Sequence, residues 1–162
     1  MLIGLLSDTH ATFDAPLRAF FEEVDQIWHA GDFGNMETAD AIAAYKPLTG
    51  VYGNCDDHKV RLVYPLMQCF EVEKIKVLML HIGGHPGFYD YKARSLITAH
   101  RPDLFVCGHS HILRVMNDKT NNLLYVNPGA AGCYGIHTLR TAVRFRIESG
   151  KISNMEVWEL KR

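Results

Sequence analysis

The chain has 162 residues, of which 48% are hydrophobic, and a formal net charge of -1. That suits one domain spanning residues 1–162 with a real core, and it lacks the basic excess of nucleic-acid and membrane-surface binders. Cys55, Cys69, Cys107 and Cys133 form no C-x-x-C pair, and a chain of this size needs no disulfide staples, so they read as free thiols of a cytoplasmic protein.

The first two-thirds alternates strand and helix. Leu2 to Leu6 is a continuous apolar run, as expected of a strand buried on both faces. The run lacks a basic flank and stops at Ser7-Asp8, too short for a signal peptide or a membrane span. Asp14 is placed to cap a helix with Pro16 in its first turn, and Leu17, Phe20, Phe21 and Val24 give that helix one apolar stripe. Gln26 to Ala30 is a second strand, Met36 to Tyr45 an Ala-rich helix halted before Pro47, and Leu48 to Tyr52 a third strand. A hairpin follows, Leu66 to Val72 and Ile75 to Leu80, turning at Glu73-Lys74. Asp90 caps a short helix bearing Ala93, Leu96 and Ile97, and Leu104 to Cys107 is another buried strand.

The last third changes character. Leu113 to Met116 and Leu123 to Val126 flank an Asn/Asp-rich turn. From Leu139 to Ile147, Leu139, Val143, Phe145 and Ile147 fall on one face and Arg140, Arg144 and Arg146 on the other, the pattern of a half-exposed antiparallel strand. It turns at Ser149-Gly150 into Ile152 to Leu160. Two stacked mixed sheets covered by helices accommodate this order, an α/β (α+β) arrangement.

Polar residues follow the apolar runs in a regular way. Asp8 and His10 follow the first strand, Asp32 the second, Asn54 the third, His81 the hairpin, and His109 and His111 the run ending at Cys107. In open α/β sheets, ligands bind beyond the carboxyl ends of strands, so these oxygen and nitrogen donors converge on one rim. Asp, Asn and His together suit borderline divalent ions rather than a thiolate or an all-oxygen site. Each piece alone is ordinary turn or cap chemistry; the ordered set is what points to two metals and phosphate-ester hydrolysis.

The set Asp8-Thr9-His10, Gly31-Asp32, Gly53-Asn54, His81 and Gly108-His109-Ser110-His111, with Asn127-Pro128-Gly129 after it, resembles the calcineurin-like metallophosphoesterase superfamily. The length and the Gly53-Asn54-Cys55-Asp56 block resemble its small YfcE-like phosphodiesterase branch. The resemblance implies a four-layer αββα sandwich. It implies one metal held by Asp8, His10, Asp32 and His111 and a second by Asp32, Asn54, His81 and His109, with Asp32 bridging. Manganese stands foremost, with Ni, Zn, Fe and Co as alternatives. It further implies a small phosphate-ester substrate, attacked by a hydroxide that the two ions activate, with Asn54, His81 and His109 serving the chemistry as well as the metal.

Two departures matter. Many superfamily members carry His after the Gly-Asn pair, where it assists the leaving group, and this chain carries Cys55, which predicts slow turnover and a preference for acidic leaving groups. A Gly-rich loop follows His81, and His85 within it is a weaker candidate for a phosphate contact or replacement acid, with His58, Tyr89 and Arg94 weaker still. Cys133 to His137 is expected in the pocket wall. A scaffold of the same fold and a nuclease are the alternatives; a scaffold has no chemical need of the ligand set, and a nuclease lacks a basic stripe with interleaved aromatics. Apolar strand residues near the C-terminus permit a homo-oligomer.

Overall fold

The structure is a computed structural model describing residues 1–162. Twelve strands and four helices follow in the order β1 (Leu2–Leu6), α1 (Ala15–Phe20), β2 (Gln26–His29), α2 (Met36–Tyr45), β3 (Leu48–Gly50), α3 (His58–Val63), β4 (Met67–Val72), β5 (Ile75–Leu80), β6 (Gly84–His85), β7 (Phe88–Tyr89), α4 (Tyr91–His100), β8 (Leu104–Val106), β9 (Leu113–Asp118), β10 (Leu123–Pro128), β11 (Leu139–Glu148) and β12 (Lys151–Lys161). One five-stranded sheet has the order β12-β11-β1-β2-β3 and the other β4-β5-β8-β10-β9. Both are mixed. β1, β2 and β3 run parallel, with β11 antiparallel to β1. β5, β8 and β10 run parallel, with β4 and β9 as antiparallel edges.

Three apolar clusters separate four layers. Ile3, Leu5, Trp28, Val77, Val106 and Phe145 meet between the sheets. Leu17, Phe21, Phe33, Ile42 and Val60 pack the first sheet against α1, α2 and α3. Leu78, Phe105 and Tyr125 pack the second against Ala93 and Ile97 of α4. The continuous apolar runs of β1, β5 and β8 are explained by this arrangement, since a strand with a covered sheet on both sides alternates nothing. The expected αββα sandwich is what the chain forms.

The local differences have physical causes. The Asp14 carboxylate caps nothing; it forms a two-pronged ion pair with Arg140 at 2.8 and 2.9 Å. Arg140 is only 3% exposed and Arg144 is half-buried, so of the basic face of β11 only Arg146 is solvated as its alternation suggested. α1 and β12 cover the other two: Arg144 donates to the Phe20 carbonyl and lies 4.9 Å from its ring, while Arg140 stacks on Trp158 at 5.3 Å. Leu139, read as inward, is 40% exposed. β10 joins its sheet parallel to β8, so the last third is not simply antiparallel. α3 carries no apolar stripe that a sequence would show; Asp57 caps it, accepting from Lys59 and Val60 N–H at 3.0 and 3.1 Å, and only Val60 is buried. No helix is long and apolar enough to cross a membrane.

Candidate metal centre

The loops after β1, β2, β3, β5 and β8 meet at the carboxyl ends of both sheets. There the structure brings together Asp8, His10, Asp32, Asn54, His81, His109 and His111. His111 Nε2 lies 3.2 Å from Asp8 Oδ1, His81 Nε2 lies 3.3 Å from Asp32 Oδ2 and 3.1 Å from Asn54 Oδ1, and His10 Nε2 lies 4.0 Å from Asp32 Oδ2. Donor atoms of Asp8, His10 and His111 form one compact group, and those of Asp8, Asp32 and His81 another. The His109 ring stands 5.3 Å from that of His81, and its backbone N–H donates to Asp8 Oδ2 at 3.1 Å. Asp8, His10, Asp32, His109 and His111 all have positive φ, between 42° and 68°. Non-glycine residues adopt that conformation at a cost, and its concentration in five of the seven shows a rim held in place by its surroundings.

Those surroundings are specific. Asp56, 3% exposed, accepts from Asp32 N–H at 3.0 Å and Gly53 N–H at 2.8 Å with one carboxylate oxygen, and from Gly34 N–H at 3.0 Å with the other. It thereby fixes the loops of Asp32 and Asn54 to each other. A Cβ on Gly53 would overlap the Asp32 carboxylate, so the backbone before Asn54 can come this close only as glycine. His29 is fully buried and stacked on Phe33 at 3.6 Å. It accepts from Gly31 N–H at Nδ1 (3.1 Å), so its Nε2–H donates to Thr9 Oγ1 at 2.9 Å. Thr9 in turn donates to the Phe33 carbonyl at 3.1 Å, tying the Asp8–His10 loop to the Asp32 loop. Burial holds His29 neutral, its pKa lowered to about 3. Asp56 and His29 escaped the sequence reading, because an aspartate in a turn and a histidine in an apolar strand give no local signal of partners 20 or more residues away.

The electrostatics are those of a cation site. The Ala30 carbonyl takes the Nδ1–H of His81 at 2.8 Å, which leaves Nε2 facing Asn54, Asp32 and, at 3.9 Å, Asp8. Burial lowers the His81 pKa, but the hydrogen bond with Asp32 and the fields of Asp8 and Asp32 outweigh it and the net shift is upward. For Asp32, burial raises the pKa, and the His81 imidazole and the Cys55 N–H outweigh that, holding it well below the usual carboxylate range. Asp8 is likewise lowered: burial raises its pKa, and the nearby His111 and His81 imidazoles and Ser7 outweigh that. Burial is the largest influence on His10 and lowers its pKa. Asp8 Oδ1 and His10 Nε2 are buried without a hydrogen-bond partner. Two orphaned polar atoms buried among carboxylate oxygens and imidazole nitrogens would cost several kcal/mol together unless a cation joins them. The residues present therefore fit divalent ions.

The remaining candidates lie apart. His85 directs Nδ1 at the Pro86 carbonyl, packs on Phe88, and makes no hydrogen bond or ring contact with the seven. His58 opens α3 and is exposed. Tyr89 donates to Asp118, and Arg94 is exposed on α4. Cys55 does belong to the rim: its N–H donates to Asp32 Oδ1 at 2.8 Å and its Sγ accepts from Asn54 at 3.3 Å. Although the side chain reaches solvent, its partial burial and the facing Asp32 carboxylate push the thiol up to about 11. The four cysteines are free. Of the Cys133–His137 segment, Tyr134 packs its ring 5.2 Å from that of His10, but none of the five residues lines the cavity beside Asn54.

A strand-end rim of carboxylates and imidazoles between two stacked sheets defines a metallophosphoesterase domain. Residues 1–150 match the calcineurin-like phosphoesterase superfamily domain, and the chain belongs to that superfamily. Among individual proteins it is similar to a probable metallophosphoesterase of Methanothermobacter thermautotrophicus, at 30% identity over 80% of this chain and 77% of that one. Of solved structures, Vps29 of Chaetomium thermophilum superposes with a TM-score of 0.76 at 16% identity, covering 99% of this chain and 97% of the other. An archaeal phosphodiesterase superposes with a TM-score of 0.71 at 19% identity, covering 98% and 100%.

Proposed function

We propose that the protein is a cytoplasmic phosphodiesterase of small phosphate esters, working with two divalent ions, manganese foremost. Asp8, His10, Asp32 and His111 would hold one ion and Asp32, Asn54, His81 and His109 the other. The observation that carries this reading is the pair of buried, unpartnered polar atoms, Asp8 Oδ1 and His10 Nε2, among the carboxylate and imidazole atoms of a possible ligand set. When bound, such ions supply a water of lowered pKa and positive charge for the phosphoryl oxygens.

The chain's own residues do the rest. Asn54 presents its amide oxygen beside His81 Nε2 and its amide nitrogen toward the Cys55 thiol. A cavity of about 320 Å³ opens beside Asn54 and His81, walled by Tyr52, Leu66 and Ile82, with Arg61, Lys92 and the Asp90 carboxylate at its edge. That space suits the organic part of a small ester. Cys55, with its proton held up to about 11, is a weak proton donor, so leaving groups that depart without protonation are favoured.

The test strips the protein with chelator, restores Mn, Ni, Co or Zn singly, and assays bis- and mono-nitrophenyl phosphate. Metal-dependent hydrolysis that prefers the diester and is lost in His109→Ala is the expected result. Hydrolysis indifferent to metal, or full activity in His109→Ala, overturns the proposal.

A further inference from the structure

We propose that His137 is a positioning residue of the metal centre, holding His111 in one tautomer and one ring orientation; this rests on the reading that the rim binds divalent ions. His137 lies in the segment that returns from β10 to β11 across the rim. That segment is sewn to the end of β1: Ala131 N–H donates to the Ser7 carbonyl at 2.9 Å and Gly132 N–H to the Asp8 carbonyl at 3.0 Å.

The proton positions follow from one acceptor. The Gly132 carbonyl, 3.1 Å from His137 Nε2, can only accept, so Nε2 carries the proton. A neutral imidazole then has its lone pair on Nδ1, and that atom faces His111 Nδ1 at 3.2 Å. Two lone pairs do not bond, so His111 carries its proton on Nδ1 and donates to His137. The lone pair of His111 is thereby placed on Nε2, the atom 3.2 Å from Asp8 Oδ1. Nitrogen and carboxylate oxygen now face each other as acceptors, the arrangement a cation resolves. Imidazole ligands commonly have the second ring nitrogen engaged by a hydrogen-bond partner that sets the tautomer and raises ligand basicity.

The loop is shaped for this contact. The two rings stand nearly perpendicular, at 82° with centroids 5.0 Å apart. Gly135 crosses over them with φ +125°, and a Cβ there would sit 2.8 Å from His111 Nδ1 and 2.9 Å from His137 Nδ1. Only glycine lets the backbone pass. Arg162 donates to the Gly135 carbonyl and, at 3.3 Å, to that of His137, while its own N–H donates to the Thr138 carbonyl at 3.1 Å. The C-terminal end thus fastens the loop that carries His137.

Zinc affinity measured by competition with a chromophoric chelator, site by site, tests the assignment. In His137→Ala the site containing His111 should weaken by about 10–100-fold, with the second site unmoved. His137→Asn, which keeps an acceptor near the former Nδ1, should recover a large part of that loss. Equal zinc affinity in wild type and His137→Ala overturns this assignment alone, whereas wild-type protein that binds no zinc overturns it together with the proposed function. Should the variants fail to fold, long-range 1H–15N spectra of the metal-free wild type, taken with the imidazoles neutral, decide: Nδ1–H on His111 with Nε2–H on His137 is expected, and Nε2–H on His111 refutes the relay.

Discussion

Asp56 offers a test of how the rim is held that does not depend on activity. Its two carboxylate oxygens accept three backbone N–H groups, from Asp32, Gly34 and Gly53, at 2.8–3.0 Å. Hydrogen bonds to a charged group contribute about 1.5–3 kcal/mol each, and the two bonds to Asp32 and Gly53 are buried, while the Gly34 bond is only partly so and admits water in the variant. Asp56→Ala should therefore cost about 4 kcal/mol. Asp56→Asn can keep its oxygen on Asp32 and Gly53, but its amide then turns a donor on the Gly34 donor, for a loss of about 2 kcal/mol. In a chain of this length, 1 kcal/mol moves the melting temperature by about 2–4 °C. The expected drops for metal-free protein are about 4–8 °C for Asn and about 8–16 °C for Ala, read by calorimetry. An Asn variant melting with the wild type, or one losing as much as Ala, refutes the accounting by acceptor oxygens.

Three further outcomes follow from the same contacts. His29 is neutral when folded, with its pKa lowered to about 3, so the unfolded chain takes up its proton first as pH falls. Its share of stability is complete above the unfolded value of about 6.5 and is lost below it; from pH 6.5 to 5.5, metal-free wild type should lose about 1 kcal/mol more than His29→Gln in chemical denaturation, and parallel pH profiles would refute the buried neutral imidazole. Asp14→Ala strands the buried Arg140 guanidinium and should cost about 3 kcal/mol by denaturant titration, whereas a loss near zero would mean that the Ala131 carbonyl and Trp158 suffice for it. Cys55→His places an imidazole where the thiol is held at about 11 and should raise turnover of alkyl phosphodiesters by about 10²-fold, with a smaller gain for nitrophenyl esters; equal gains for both would show that leaving-group protonation does not limit the reaction.

The convergence of the seven residues was legible because they are tied to local pattern. Each of the seven lies within a few residues of the end of an apolar run, and strand ends of stacked α/β sheets share one edge. Cys55 was legible as a departure for the same reason. Asp56 and His29 were not, and His137 was read only as part of a pocket-wall segment, since each meets backbone or side-chain atoms 20 or more residues distant and nothing in a turn aspartate or a loop histidine announces that. Asp14 shows the opposite failure: a sound local cap signal yielded to an ion pair with a residue 126 positions away.

Alone, the sequence determined which atoms converge, because hydrophobic runs fix strands and strands fix where their ends must point. Only the tertiary structure decided how they are held: which strand each strand pairs with, that α1 and β12 cover Arg144 and Arg140, and that Asp56 and His29 join the loops of Asp8, Asp32 and Asn54. Burial along a single strand is a local property that residue type encodes. A hydrogen bond between distant loops depends on the packing of two sheets and their helices together, and no short stretch of the chain contains that information.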